Sequence, residues 1–339
     1  LFAALESKST SNQVGWNTIA IAGLDGYARA KATFTPMPNP YVGCAGAVLP
    51  ASAQVAAGKV YYADGNGLIR TLAPGGQPEQ VTTFPLSSSQ QMLSFAVSPD
   101  GTQLLGSIFT LPPKPTTTGD PCANGPGAAA FGPGDFALDV YAASAGGAPR
   151  QLYHQDLGAW GGTQLSQVLF FIGWDAQGPV ATYPTGWATQ GGGPMHYHGI
   201  PVRVDATTGK VIRPVADQCD VWDMVQTGDF ACSDKTGSIS VRRPDGTEIW
   251  RVPAAPNNGF WMEYLAPDEG HVVELSGHVF ARDGSAVQLP DGWGYSGWLD
   301  RSTLISWGVG SNFTYVSLSA PSTAVDIGFK GLFIGTVRP

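Results

Sequence analysis

Between Leu93 and Pro113 the chain reads LSFAVSPDGTQLLGSIFTLPP: an apolar strand, a Ser-Pro-Asp-Gly turn, and a second apolar strand ending in prolines. Proline presets φ and Asp-Gly supplies a tight reversal, so the segment predicts an antiparallel hairpin. Weaker copies of the pattern follow one another along the chain, cut by Gly, Pro or Asp-Gly. They group into six units of four short strands each: Tyr41–Phe84, Leu93–Tyr153, Gln167–Val215, Cys219–Val252, Phe260–Leu289 and Tyr295–Ile327. Half a unit stands at each end, Asn17–Phe34 and Gly328–Val337. No stretch sustains a 3.6-residue apolar period, so the chain is all-β.

Repeated four-stranded units predict a β-propeller. The two halves complete each other: Gly328–Val337 supplies inner strands and Asn17–Phe34 outer strands of a seventh blade, which leaves no open sheet edge. Seven blades are expected. Six or eight blades, or a pair of β-sandwiches, are the alternatives for strands spaced this way.

Composition narrows the function. The 339 residues carry 13% charged and 43% hydrophobic side chains, with 45 glycines and 27 prolines, which is many turns around ample core material. Net charge is −8 with no basic run, which excludes binding of nucleic acid through phosphate neutralisation. No apolar run reaches the length of a membrane span. Leu1–Gln13 (LFAALESKSTSNQ) turns quickly polar and reads as a tether, leaving 14–339 as one propeller domain. A chain that begins at Leu1 rather than Met points to a removed leader, hence to a secreted or cell-surface protein, with a lipid anchor upstream of residue 1 as the other option. The four cysteines have no C-x-x-C spacing; an even count in an exported chain favours disulfides over zinc. Cys219 and Cys232 bracket one predicted hairpin and pair naturally. Buried free thiols are the alternative.

Ser98-Pro99-Asp100-Gly101, echoed by Ala266-Pro267-Asp268-Glu269-Gly270, resembles the PD40 (WD40-like) repeats of TolB-type propellers. The resemblance covers two inner hairpins and, elsewhere, the strand rhythm alone. It implies a fold. The superfamily hosts many unrelated activities, so it implies little about function.

Strand alternation sorts the connections. With strands A to D running outward from the axis, A–B and C–D loops share one face, and B–C and D–A loops share the other. The Ser-Pro-Asp-Gly turn is an A–B loop, on what reads as the plain face. Two long insertions, 111–135 and 184–199, are B–C loops on the other face, where function is expected to gather. That face collects His154, Trp160, Trp187, His196, Tyr197, His198, Trp293 and Tyr295. It also brings Cys44 near Cys122, predicting a second disulfide.

His196-Tyr197-His198 is the sharpest local feature. Residues two apart in an extended segment face the same way, so both imidazoles can meet one ion, with His154 as third ligand and a divalent metal as the candidate cofactor. Alternatively the imidazoles satisfy loop backbone. Trp160, Trp187 and Trp293 lie in loops and suit a sugar face or another protein, or else fill tight loop cores. Trp174, Trp222, Trp250, Trp261, Trp298 and Trp307 fall within strands and are expected between blades. Asp220, Asp223, Glu263 and Asp300 lie near the axis as channel lining or cation ligands. There is no Gly-x-Ser-x-Gly elbow, P-loop or His-Glu-x-x-His. Three functions fit: an exported module binding a glycan or extracellular protein; a polysaccharide-acting lyase or hydrolase using His154, His196, His198 and Tyr197; and a subunit of a self-assembling extracellular structure.

Overall fold

The computed structural model describes residues 1–7, 16–37, 48–49, 52–113, 133–159, 167–184, 193–194, 199–215, 220–225, 227–233, 238–252, 263–274, 277–290, 294–306 and 312–338. Seven four-stranded antiparallel sheets stand in a ring, which makes the chain a seven-bladed β-propeller. Blade one opens with the strand Ala53–Ala56, blade two with Gln91–Val97, blade three with Phe170–Asp175, blade four with Asp220–Met224, blade five with Glu263–Leu265 and blade six with Tyr295–Trp298. Blade seven is headed by Leu332–Thr336. Each of these strands touches the first strand of both neighbouring blades, so the seven surround a common axis.

The closure differs from the sequence expectation. Leu332–Thr336 is the single inner strand of blade seven, and Phe2–Ser7 pairs with it, ahead of Trp16–Ala22 and Ala28–Thr33. The start of the chain is therefore a ring-closing strand over residues 2–7, not a tether. Phe2, Ala3, Ala4 and Leu5 are all fully buried. Alternation explains why. Ala3 and Leu5 join Val60, Tyr62 and Leu72 of blade one, while Phe2 and Ala4 join Ile305 and Phe313 of blade six. A strand buried on both faces reads as an unbroken apolar run, FAAL, and carries no alternation to announce it.

A second correction concerns blade one. Its inner strand is Ala53–Ala56, so the blade begins well inside the predicted unit Tyr41–Phe84. Val48–Leu49 instead pairs in parallel with Gly193–Pro194 from the long insertion of blade three. By strand alternation both segments belong to the B–C and D–A face, so the connection into blade one and that insertion meet there.

Blades clasp their neighbours at the rim. Gly146 in the outer hairpin of blade two donates its N–H to Val81 O of blade one, and Thr82 Oγ1 donates to Gly147 O at 2.8 Å. At the matching turn of blade seven, Gly26 adopts φ +77° and a Cβ there would strike the carbonyl of Ile327 in the preceding blade. Only glycine tolerates both demands. The Ser-Pro-Asp-Gly turn is held by its own side chains: Ser98 Oγ donates to Asp100 Oδ1 at 2.6 Å, and that oxygen also accepts Thr102 N at 3.0 Å. These donors hold the Asp100 carboxyl below the usual carboxylate range.

Candidate functional site

Each innermost strand is paired along one edge only. Its other edge faces the axis and presents backbone N–H and C=O groups that have no strand partner. Side chains from neighbouring blades reach some of these carbonyls. Gln54 Nε2 donates to Phe95 O at 2.6 Å, Trp298 Nε1 to Tyr264 O at 2.8 Å, and Thr336 Oγ1 to Trp298 O at 2.9 Å. The rest of the free edges surround a cavity of about 520 Å³ to which all seven blades contribute.

The cavity opens at the A–B turns. Ala57 and Gly58, Pro99, Thr227, Pro267 and Arg338 mark its rim, one turn or chain junction from each of five blades. Its wall is apolar and aromatic: Val55, Phe171, Trp174, Met224, Tyr264 and Phe333. The face that read as plain therefore carries the concave site, in the size range of pockets that take small molecules or side chains of a partner. Trp174, expected as blade packing, is half-buried and lines this cavity.

Carboxylates gather on the same turns. Asp229 is 8% exposed at the foot of the second strand of blade four. Burial, and then its hydrogen bond to Glu269 of blade five, push its carboxyl up to about 6. Thr227 Oγ1 donates to Glu269 Oε1 at 3.2 Å, tying the two turns together. Behind them Arg203 grips Asp175 through both terminal nitrogens at 2.7 Å, with the two side chains 3% and 1% exposed.

The predicted site residues fall differently. His154 lies within the outer strand Arg150–Ala159 of blade two, not in a loop. Its Nδ1 is 2.7 Å from Asp139 and its Nε2 3.1 Å from Asp156, so both ring nitrogens are engaged. The Asp139 contact, foremost, raises its pKa. Tyr295 is a core residue packed among Tyr264, Trp298, Leu304 and Val316, and burial pushes its phenol up to about 12. Trp160, Trp187, His196, Tyr197, His198 and Trp293 lie outside the described residues, as do Cys44, Cys122 and Cys219. Asp300 sits in the A–B turn of blade six, where Oδ1 accepts Ser302 N at 2.8 Å. Among the described residues no group of three or more His, Cys, Asp or Glu is arranged to hold a metal ion. No described helix is long and apolar enough to cross a membrane.

Three solved structures resemble the chain at low identity. The chain is similar to the C-terminal WD40 domain of Sif2, at 12% identity over 86% of this chain and 76% of that one, with a TM-score of 0.43. It is similar to an oligogalacturonate lyase in complex with manganese, at 11% identity over 85% and 76%, TM-score 0.47, and to the Dos1 propeller, at 9% over 96% and 85%, TM-score 0.47. The likeness is one of fold alone. No family model and no curated protein matches the sequence.

Proposed function

We propose that this propeller is a binding module that holds a segment of a partner in its axial mouth on the A–B face. The observation that supports the reading is the cavity of about 520 Å³ bounded by all seven blades, where unpaired strand edges offer backbone hydrogen bonds beside an apolar wall. Extended segments gain affinity from such edges and specificity from adjoining pockets. The test is selection of a random peptide library on the wild-type protein, followed by rescreening on Val55→Trp, which fills the cavity. Selected peptides are expected to lose binding to the filled variant. Equal binding to both forms overturns the reading.

The insertion-bearing face is proposed as a second contact surface for a glycan or protein, through Trp160, Trp187, Tyr197 and Trp293. The parallel pairing of Val48–Leu49 with Gly193–Pro194 supports it, because that pairing ties the insertion to the connection entering blade one. Export is proposed with it. Cys232 is disulfide-bonded, which supports the expected Cys219–Cys232 bridge and an oxidising compartment. Peptide mapping without reduction is expected to recover Cys219 linked to Cys232 and Cys44 linked to Cys122; a Cys44–Cys219 or Cys44–Cys232 fragment contradicts the pairing.

A further inference from the structure

The lining of the axial cavity holds a single charged residue, Arg338. Ring closure fixes where it stands. The inner strand Leu332–Thr336 is followed by Val337, which is fully buried and donates its N–H to Leu1 O at 2.9 Å. Arg338 thus leaves the strand from a pinned backbone, with an exposed side chain. Among the described residues no carboxylate is in salt-bridge contact with it.

Other polar side chains of the lining are already engaged. Gln54 Nε2 donates to Phe95 O, Thr227 Oγ1 to Glu269 Oε1 and Thr336 Oγ1 to Trp298 O. The turn carboxylates stand outside the lining and bond to their own turns. Asp100 Oδ1 accepts Thr102 N, Asp268 Oδ1 accepts Gly270 N at 3.1 Å, and Asp300 Oδ1 accepts Ser302 N. A partner entering the mouth therefore meets one guanidinium beside an apolar wall that includes Phe171, Trp174, Met224 and Phe333.

We propose that the partner segment is acidic and apolar: one of its carboxylates pairs with Arg338 while a neighbouring aromatic or branched aliphatic side chain enters the wall. The inference rests on the axial mouth being the binding site. Arginine presents a planar fork that matches a carboxylate through two parallel N–H···O bonds, and it stays charged at any working pH. An ion pair in open water contributes little. One covered by the bound segment against an apolar wall sits in a lower dielectric and contributes more. The net charge of −8 opposes an acidic partner only at a distance. Physiological salt screens that field within about 8 Å, so the group in contact decides. The free strand edges bond any backbone; the guanidinium supplies the choice, because a basic side chain beside it is repelled.

The experiment uses peptides selected from a random library on the wild-type protein. They are expected to carry Asp or Glu next to an aromatic or branched aliphatic residue. Replacing that acid by its amide is expected to weaken binding about tenfold or more, the scale of a covered charge contact. Arg338→Gln is expected to weaken the acidic peptide by a similar factor and to leave the amide peptide unchanged, a coupling that a purely structural role would not produce. Arg338→Lys keeps the charge without the fork and is expected to retain part of the affinity. Since the side chain is exposed, both variants are expected to melt with the wild type. Selected peptides that are neutral or basic overturn the acidic-segment inference while leaving the axial mouth standing, as does Arg338→Gln weakening the acid and amide forms alike. Phenylacetate binding as tightly as the peptides overturns it in favour of a small organic acid. Peptides that bind Val55→Trp unchanged overturn the axial mouth itself.

Discussion

A chain lacking residues 1–7 is expected to lose cooperative unfolding and the near-ultraviolet signature of a packed core. The deletion removes the strand between Leu332–Thr336 and Trp16–Ala22, leaving the first with no ladder at all and the second with a ladder on one side only. It also empties two cores at once. Phe2 packs edge-on against Phe313 at 5.7 Å and Phe329 at 5.9 Å, and Leu5 packs with Ile19, Tyr62 and Leu332. Truncating a buried Phe or Leu alone costs about 2–5 kcal/mol. Two such losses, with a broken ladder, reach the whole net stability of about 5–15 kcal/mol typical of a domain. Leu5→Ala is the graded version, with a loss of about 2–5 kcal/mol expected. A truncated protein that keeps its melting transition and near-ultraviolet spectrum contradicts closure through this strand.

Arg203→Met is expected to be the most destabilising single substitution of a charged residue in the described structure. Arg203 Nη1 donates to Asp175 Oδ1 and to Gly178 O at 2.9 Å, while Nη2 donates to Oδ2. Asp175 Oδ1 also accepts Gln177 N at 2.7 Å, and the turn of blade four packs so closely that a Cβ at Gly228 would meet the carboxylate. Removing one partner of a buried pair strands the other, at a cost of about 3–5 kcal/mol. Removing both hurts less, so Asp175→Asn with Arg203→Met is expected to recover part of the loss, read as the shift in urea midpoint. By contrast Arg251–Glu248 lies on the surface, and Arg251→Met is expected to cost about 1 kcal/mol or less. A double variant no more stable than the single one would show that Arg203 acts through packing rather than charge.

Blades two to six were legible because each hairpin is punctuated. The Ser-Pro-Asp-Gly turn, Asp245-Gly246 and Asp283-Gly284 mark reversals whose chemistry is local. The seventh blade was half legible. Its second strand is buried on both faces and too short to be told from a polar tail by pattern alone. Assigning turns and connections to faces needs only the strand count, since it follows from alternation. The position of the cavity did not follow from it. Its wall takes one to four residues from each of seven inner strands, such as Val55, Trp174 and Tyr264, and no window of sequence brings them together. His154 was misplaced for a related reason. The outer strand of blade two runs to Ala159, and a polar, solvent-facing strand such as YHQDLGA looks like a loop in sequence.

One signal could have pointed to the A–B face. Asp100, Asp268 and Asp300 recur at the same structural position, each as the acceptor of turn N–H groups. A turn device repeated around a ring also arranges charge around its axis, and that consequence is readable from the repeat alone.

The axial mouth is tested most directly by comparing wild-type and Val55→Trp affinities for one selected peptide, with matched melting points as the control. Filling the cavity is expected to reduce affinity at least about tenfold, a loss of about 1.4 kcal/mol. Indistinguishable affinities in two equally folded proteins would contradict the account and move the site elsewhere on the ring.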